Sequence, residues 1–341
     1  MARIVYTGGI HTPYLSACKL RMEILQDMGH DVMEHCDVPY YQKGRLLGRV
    51  FRRMLWGPPL WRYNKDLLAV VEKHQPDVVW IDKGRWVFPS TVRTIQQSGA
   101  KVVVYTQDSA IFFNQSRWFE QSIPLFDLVV TTKPYELEAF RQRGVRELMH
   151  KPPIYFAGLN VPPEPTPEEI RKFTCDVVFI GTFTPGRDKY LLPLVKSGFD
   201  LHIWGNGWLQ RCKDKHLLQC VRGAAIMGRD YNLGLACAKL CLGLLNPLVP
   251  DTATTRSVEI PAVKGFLLAE RTDEHLGMFE EGKEAEFFAN EDELVKKATH
   301  YINHPLERQA IIEAGYQRCM TGGYDIESQM EEILCFLQKK V

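Results

Sequence analysis

What the 341 residues lack narrows the class of protein before any motif is weighed. No apolar run approaches the ~20 residues needed to span a bilayer as a helix. The opening MARIVYTGG enters a strand pattern directly, without a signal-peptide layout, so the expectation is a cytoplasmic protein or one resting on a membrane surface. An excess of one charge is missing too. The 42 Lys and Arg against 41 Asp and Glu leave +1, which provides no general affinity for nucleic acid. The nine cysteines never form a CxxC pair. Cys237 and Cys241 stand one helical turn apart with nothing nearby to complete a metal set, and all nine read as buried thiols of a reducing compartment. Repeats and low-complexity tracts are absent. No GxGxxG follows the first strand and no GxxxxGK[ST] occurs, which argues against a nicotinamide oxidoreductase.

What is present is an alternation of short apolar strands and helices. RIVYTG, DVMEHC, DVVWID, KVVVYTQD and FDLVVTT are strand patterns in the first half. A helix-like segment over about 14–28 ends at Gly29, PSTVRTIQQSG is opened by proline and closed by glycine, and a helix runs from Pro134 to Gly144. The proline-rich KPPIYFAGLNVPPEPTPEEIRKF breaks the pattern and ends in a capping-like Thr166-Pro167-Glu168-Glu169. CDVVFIG, DLHIWG, LCLGLLN and VKGFLLAE are strands of the second half, with helices at GRDKYLLPLVKSG, 231–239, 291–304, 305–321 and 326–340. The fold class is therefore α/β, two tandem doubly wound (Rossmann-like) domains facing a cleft. The expected division is 1–160, a linker at 161–174, then 175–325, with 326–341 as a C-terminal helix packing back on the first domain. Ligands of such sheets bind outside the carboxyl ends of the strands.

The motifs at those ends are rich in glycine and arginine. Gly8-Gly9 and Gly205-Asn206-Gly207 follow strands; they suit tight turns, or close approach of backbone N–H groups to a ligand. Gly181-Thr182-Phe183-Thr184-Pro185-Gly186-Arg187 follows a strand and precedes a helix. There Arg187 is electrostatically disfavoured unless an anion is present; a diphosphate would supply it, and the alternative is a solvated surface arginine. In PDTATTRSVEIPAVKG, Asp251 and Glu259 stand eight positions apart around Thr254, Thr255 and Arg256. Carboxylates accept from vicinal hydroxyls, while arginine and hydroxyls suit phosphate oxygens. The cluster fits a sugar nucleotide; it also fits a polar loop with a capped helix start.

These residues resemble the glycosyltransferase domain of the CgeB (spore-maturation-type) family, related to glycosyltransferase family 4. The resemblance is carried by Gly181…Arg187, Gly205-Asn206-Gly207, Arg256-Ser-Val-Glu259-Ile-Pro-Ala262, Phe279-Glu-Glu-Gly-Lys283-Glu284 and His304-Pro-Leu-Glu-Arg308. It runs from about Cys175 to the C-terminus and is weaker over the first half. It implies a GT-B fold and a hexosyltransferase-type activity, in which the second domain binds a nucleotide diphosphate-sugar, a UDP-sugar first, and the first domain binds a glycan, lipid or small-molecule acceptor. It further implies retention of configuration and no required metal or other cofactor, and no DxD pair stands at a strand end to hold Mg²⁺. The family 4 pattern E-x7-E places its second glutamate on the nucleotide ribose and its first near the donor sugar or catalytic centre. Glu259 takes the first role and Asp251 the second, with Asp where the family has Glu.

In the first half, Gly9 and His11 resemble the glycine-rich first loop of such enzymes, and Asp108 follows the strand KVVVY as a carboxylate able to take an acceptor's proton. His11 as a helix-start residue and Asp108 as a helix cap are the structural alternatives. Asp82 and Lys83, at another strand end, read as structural. From Tyr41 to Lys65 there is no acid, and Arg45, Arg49, Arg52 and Arg53 oppose an apolar face, with Trp56 and Trp61 flanking Gly-Pro-Pro. The segment suits an anionic membrane surface, an acidic acceptor, or a helix with a solvated face. The function expected is thus a glycosyltransferase. A nucleotide-sugar epimerase or hydrolase, and a non-catalytic two-lobed nucleotide- or sugar-binding protein, are the competing readings.

Overall fold

Among the described residues twelve strands, most of them short and apolar, form two parallel sheets of six. The computed structural model describes residues 1–12, 16–42, 51, 54–112 and 115–339, residue 42 by its backbone alone. The chain divides into two units, Met1–Pro152 with Gln329–Val341, and Pro153–Ser328.

The first unit contains β1 (Arg3–Gly8), β2 (Asp31–Cys36), β3 (Val78–Asp82), β4 (Lys101–Thr106), β5 (Leu128–Thr131) and β6 (Leu148–His150), in the order β2-β1-β3-β4-β5-β6. β1 pairs with β2 on one side and β3 on the other, so the direction of winding reverses between β1 and β3. All five residues of β3 are buried, as the apolar run VVWI requires; Asp82 at its end is the exception to be explained. Ser16 opens the helix Ala17–Asp27 by accepting from the Lys19 N–H. Gly57-Pro58-Pro59 starts the helix Pro58–His74, because proline at the first positions has no N–H to leave unsatisfied. Leu60, Tyr63, Leu67 and Val71 form its buried face. Arg45, Arg49, Arg52 and Arg53 of the expected basic helix lie outside the described residues.

The second unit contains β7 (Cys175–Ile180), β8 (Leu201–Trp204), β9 (Val221–Gly223), β10 (Ala238–Gly243), β11 (Leu267–Glu270) and β12 (Glu286–Phe288), in the order β12-β11-β10-β7-β8-β9. Its winding reverses between β7 and β10. The helix Pro167–Phe173 begins with a full capping box between Thr166 and Glu169.

Two boundaries differ from the sequence reading. The helix expected over 231–239 runs instead over Gly228–Ala236, because Ala238 already pairs with Cys175 in the sheet. The strand expected at VKGFLLAE is only Leu267–Glu270; Val263–Gly265 close the preceding helix, with Lys264 at φ 61° and the Gly265 N–H on the Ile260 carbonyl. Among the described residues no helix is long and apolar enough to cross a membrane.

Candidate functional site

The carboxyl ends of β7 and β10, where winding of the second unit reverses, are the place to look for a ligand. The chain leaves β7 through Gly181 and enters the helix Asp188–Lys196 at Arg187. Arg187 is only 6% exposed. Its Nη1 donates to the Thr182 carbonyl at 2.7 Å, and its Nε to the Leu245 carbonyl, just past β10, at 3.2 Å. The side chain therefore bridges the reversal. Among the described residues it makes no ion pair; its hydrogen bonds go to neutral carbonyls, and the guanidinium lies 5.2 Å from the centre of the Phe179 ring. Burial, then the like charge of Arg256, pull its pKa down to about 10, against the opposing pull of Glu270. Arg256 is thus close enough to Arg187 for the two like charges to be felt.

Arg256 is the first residue of the helix Arg256–Ala262, and its Nε is buried without a hydrogen-bond partner among the described residues. One turn on, Glu259 accepts from Tyr231 at 2.6 Å and from Thr255 at 3.2 Å. Burial raises the Glu259 pKa, countered by Tyr231, Arg256 and Thr255. Glu259 is thus a desolvated carboxylate with one oxygen, Oε2, committed to two hydroxyls. Tyr231 carried no signal in the sequence, since its partner lies 28 positions away.

A fully buried histidine fixes this loop. His275 Nδ1–H donates to the Glu270 carbonyl at 2.7 Å, which leaves Nε2 bare to accept from Ser257 at 2.7 Å. Ser257 Oγ in turn accepts the Thr254 N–H at 3.1 Å. Thr272 adds a second tie, donating to the Thr252 carbonyl at 2.6 Å. Loss of water lowers the His275 pKa and keeps the ring neutral, as its acceptor role requires. The chain of bonds has one direction only, and it holds the residues on both sides of Arg256.

The glycines have steric reasons. A Cβ on Gly205 would stand 2.0 Å from the Gly181 carbonyl oxygen, which Trp208 Nε1 holds at 2.8 Å, so the ends of β7 and β8 meet only with glycine there. Gly207 adopts φ 82° at the start of the helix Trp208–Arg211. Thr254 Oγ1 is buried without a partner among the described residues. Asp251 is half-buried in the loop before the helix.

In the first unit the expected residues are separated. His11 pairs with Glu34 at 3.0 Å, and Asp108 with Lys83 at 2.7 Å, both in exposed positions. Burial works to lower the Lys83 pKa, yet Asp108 outweighs it and raises it. Gly9 lines a cavity of about 450 Å³ beside the reversal of β1 and β3, together with Asp37, Asp82, Lys83, Trp86 and Gln107. Asp82 is buried, bonded to Tyr6 at 2.5 Å and to Arg21 at 2.6 Å. A Cβ on Gly8 would come within 2.8 Å of Asp82 Cβ, so this glycine makes room for that pair. Asp37 was not singled out by sequence. Burial pushes its carboxyl up to about 6, against a hydrogen bond from Tyr41. Trp56 is exposed and packs edge-on against Trp61 at 5.4 Å.

Comparison with known proteins agrees with this geometry. Residues 187–335 match the sequence model of a family described as glycosyl transferase-like. No protein with a curated sequence matches the chain. Solved structures do. HepE of Anabaena, in complex with UDP, is 14% identical with a TM-score of 0.65 over 98% of this chain and 99% of its own. Sucrose-phosphate synthase of Thermosynechococcus elongatus is 13% identical with a TM-score of 0.68 over the whole of both chains. A glycosyltransferase of Rickettsia africae is 11% identical with a TM-score of 0.71, over 99% and 98%. At such identities the likeness is one of fold. The chain has the GT-B glycosyltransferase fold, and its second half carries a glycosyl transferase-like region.

Proposed function

We propose that this protein is a glycosyltransferase that moves a sugar from a nucleotide diphosphate-sugar, a UDP-sugar first, to an acceptor held by the first unit. One observation carries the reading: Arg187 is buried beside the β7–β10 reversal within electrostatic reach of a second guanidinium, Arg256, with no carboxylate in ion-pair contact with either among the described residues. A diphosphate relieves that repulsion, and the same cations stabilise the charge that builds on the leaving diphosphate as the sugar departs. Glu259 accepts from the ribose hydroxyls, held by Tyr231 and Thr255. Thr254, with its buried and unpartnered hydroxyl, donates to phosphate, and Asp251 attends the donor sugar.

Transfer without a metal follows from the same arrangement, since two guanidiniums supply the positive charge that Mg²⁺ brings to other sites. Retention of configuration and kinship with the CgeB type belong to the same proposal, on the strength of the E-x7-E-like spacing of Asp251 and Glu259. Asp108 and His11 are the proposed catalytic groups of the first unit, and the cavity beside Gly9 offers room for the acceptor. Exposed Trp56 and Trp61 support contact with an anionic membrane, should the acceptor be a lipid.

The test is a thermal-shift series with UDP, GDP, ADP, TDP and CMP on wild type and Glu259→Ala. One nucleoside diphosphate at a hundredfold excess over Kd stabilises wild type by ~2.7 kcal/mol, and Glu259→Ala loses that shift. No shift with any of the five overturns the donor-site reading. Release of nucleoside diphosphate from the sugar nucleotide that does not depend on added acceptor selects an epimerase or hydrolase instead.

A further inference from the structure

Outside the residues assigned to the donor, the helix Glu291–Asn303 ends where Pro305–Thr321 begins, and three exposed side chains meet at the junction. His300 and His304 are one turn apart, and Glu307 lies in the first turn of the second helix. One ligand atom from each can be chosen so that all three lie within 4.8 Å of one another. We propose that His300, His304 and Glu307 form a binding site for a divalent transition metal, zinc in the first place.

The hydrogen bonds favour that chemistry. His304 Nδ1–H donates to the His300 carbonyl at 2.7 Å, so its Nε2 carries the free lone pair that a metal needs. A ring nitrogen fixed by a backbone carbonyl is the usual support of a metal-binding histidine. The two imidazoles stack at 4.0 Å with 15° between their planes, which keeps the two rings side by side. His300 Nε2 is 2.8 Å from Glu307 Oε2. A metal replaces the shared proton of that bond, taking the imidazole lone pair and the carboxylate oxygen together and releasing a proton to water. Two imidazoles and one carboxylate with an open fourth position are a familiar zinc set, and imidazole discriminates against Mg²⁺ and Ca²⁺. His304-Pro305 opens the second helix, and the proposed donor site leaves the motif unused. A metal here ties the two helices together, independently of nucleotide binding.

The experiment titrates tag-free, chelator-treated full-length protein with ZnCl₂ by calorimetry, with MgCl₂ as control, and follows thermal unfolding in parallel. One saturable zinc site, a Tm raised by zinc but not by magnesium, and affinity reduced by at least about tenfold in both His304→Ala and Glu307→Gln are expected. Because all three side chains are exposed, the metal-free variants keep the wild-type Tm. Absence of a saturable site overturns the proposal. So does zinc binding of wild-type strength in His304→Ala, which would assign the metal to the chain's thiols.

Discussion

The two units solve the same topological problem with opposite electrostatics. Among the described residues each has six parallel strands, each reverses its winding beside its first strand, and in each an arginine from the segment or helix that follows that strand reaches to the neighbouring strand's end. In the first unit Arg21 finds a carboxylate, Asp82, and both side chains are fully buried as an ion pair. In the second, Arg187 finds the carbonyl of Leu245, with Arg256 as its charged neighbour. The first reversal is neutralised from within. The second holds two cations with Glu270 and Glu259 within electrostatic reach but, among the described residues, in no ion-pair contact, which on the proposed reading leaves the guanidiniums available to an anion. Topology marks two candidate ligand sites, and the proposed function places the diphosphate at the second.

The comparison predicts opposite signs for similar substitutions. Asp82→Ala strands the Arg21 guanidinium in the core, and should destabilise the first unit by about 3–5 kcal/mol in denaturant unfolding. Arg187→Met removes a buried cation that, among the described residues, has no carboxylate in ion-pair contact. Unliganded Arg187→Met should therefore unfold at or above the wild-type midpoint, while its affinity for UDP falls by about thirtyfold, the equivalent of about 2 kcal/mol for a hydrogen bond to a charged group. A clear fall in the midpoint without ligand would break the comparison.

A titration sharpens it further. His35, buried against Thr7 and Tyr63, has its pKa lowered by burial to about 4. A depressed histidine stabilises the fold fully above its unfolded value near 6.5, and the contribution disappears as pH falls from there to about 4. The stability advantage of wild type over His35→Gln should shrink by on the order of 3 kcal/mol across that window. In the same unit Asp37 works the other way, since a carboxyl raised to about 6 favours the fold more as pH falls through 6. Ser257→Ala has the smallest effect, about 1–3 kcal/mol of stability from leaving His275 Nε2 without its donor. It should also weaken UDP binding through the loosened Arg256 loop, which a purely structural serine would not do.

How much of this was legible in the sequence depends on how far apart the partners lie. VVWI, KVVVYT, CDVVFI and LHIW are continuous apolar runs between turn residues, and the sheets follow from them. The three-residue edge strands β6, β9 and β12 carry too few positions for a pattern to show. Arg187 and Glu259 stood out because a helix start and an acid spacing are local signals. Tyr231, Ser257, His275 and Glu270 did not, because each acquires meaning only from a partner brought to it by the fold. Asp37 is an ordinary acid in the sequence; its raised pKa belongs to the cavity, not to its neighbours in the chain.

The most direct test of the central claim is a calorimetric titration of wild type and Arg187→Met with UDP and with uridine. Phosphate recognition by the arginine pair predicts that wild type binds UDP far more tightly than uridine, and that the gap narrows by about thirtyfold in Arg187→Met through loss of UDP affinity alone. Equal affinity of wild type for UDP and uridine, or a gap unchanged by Arg187→Met, would contradict it.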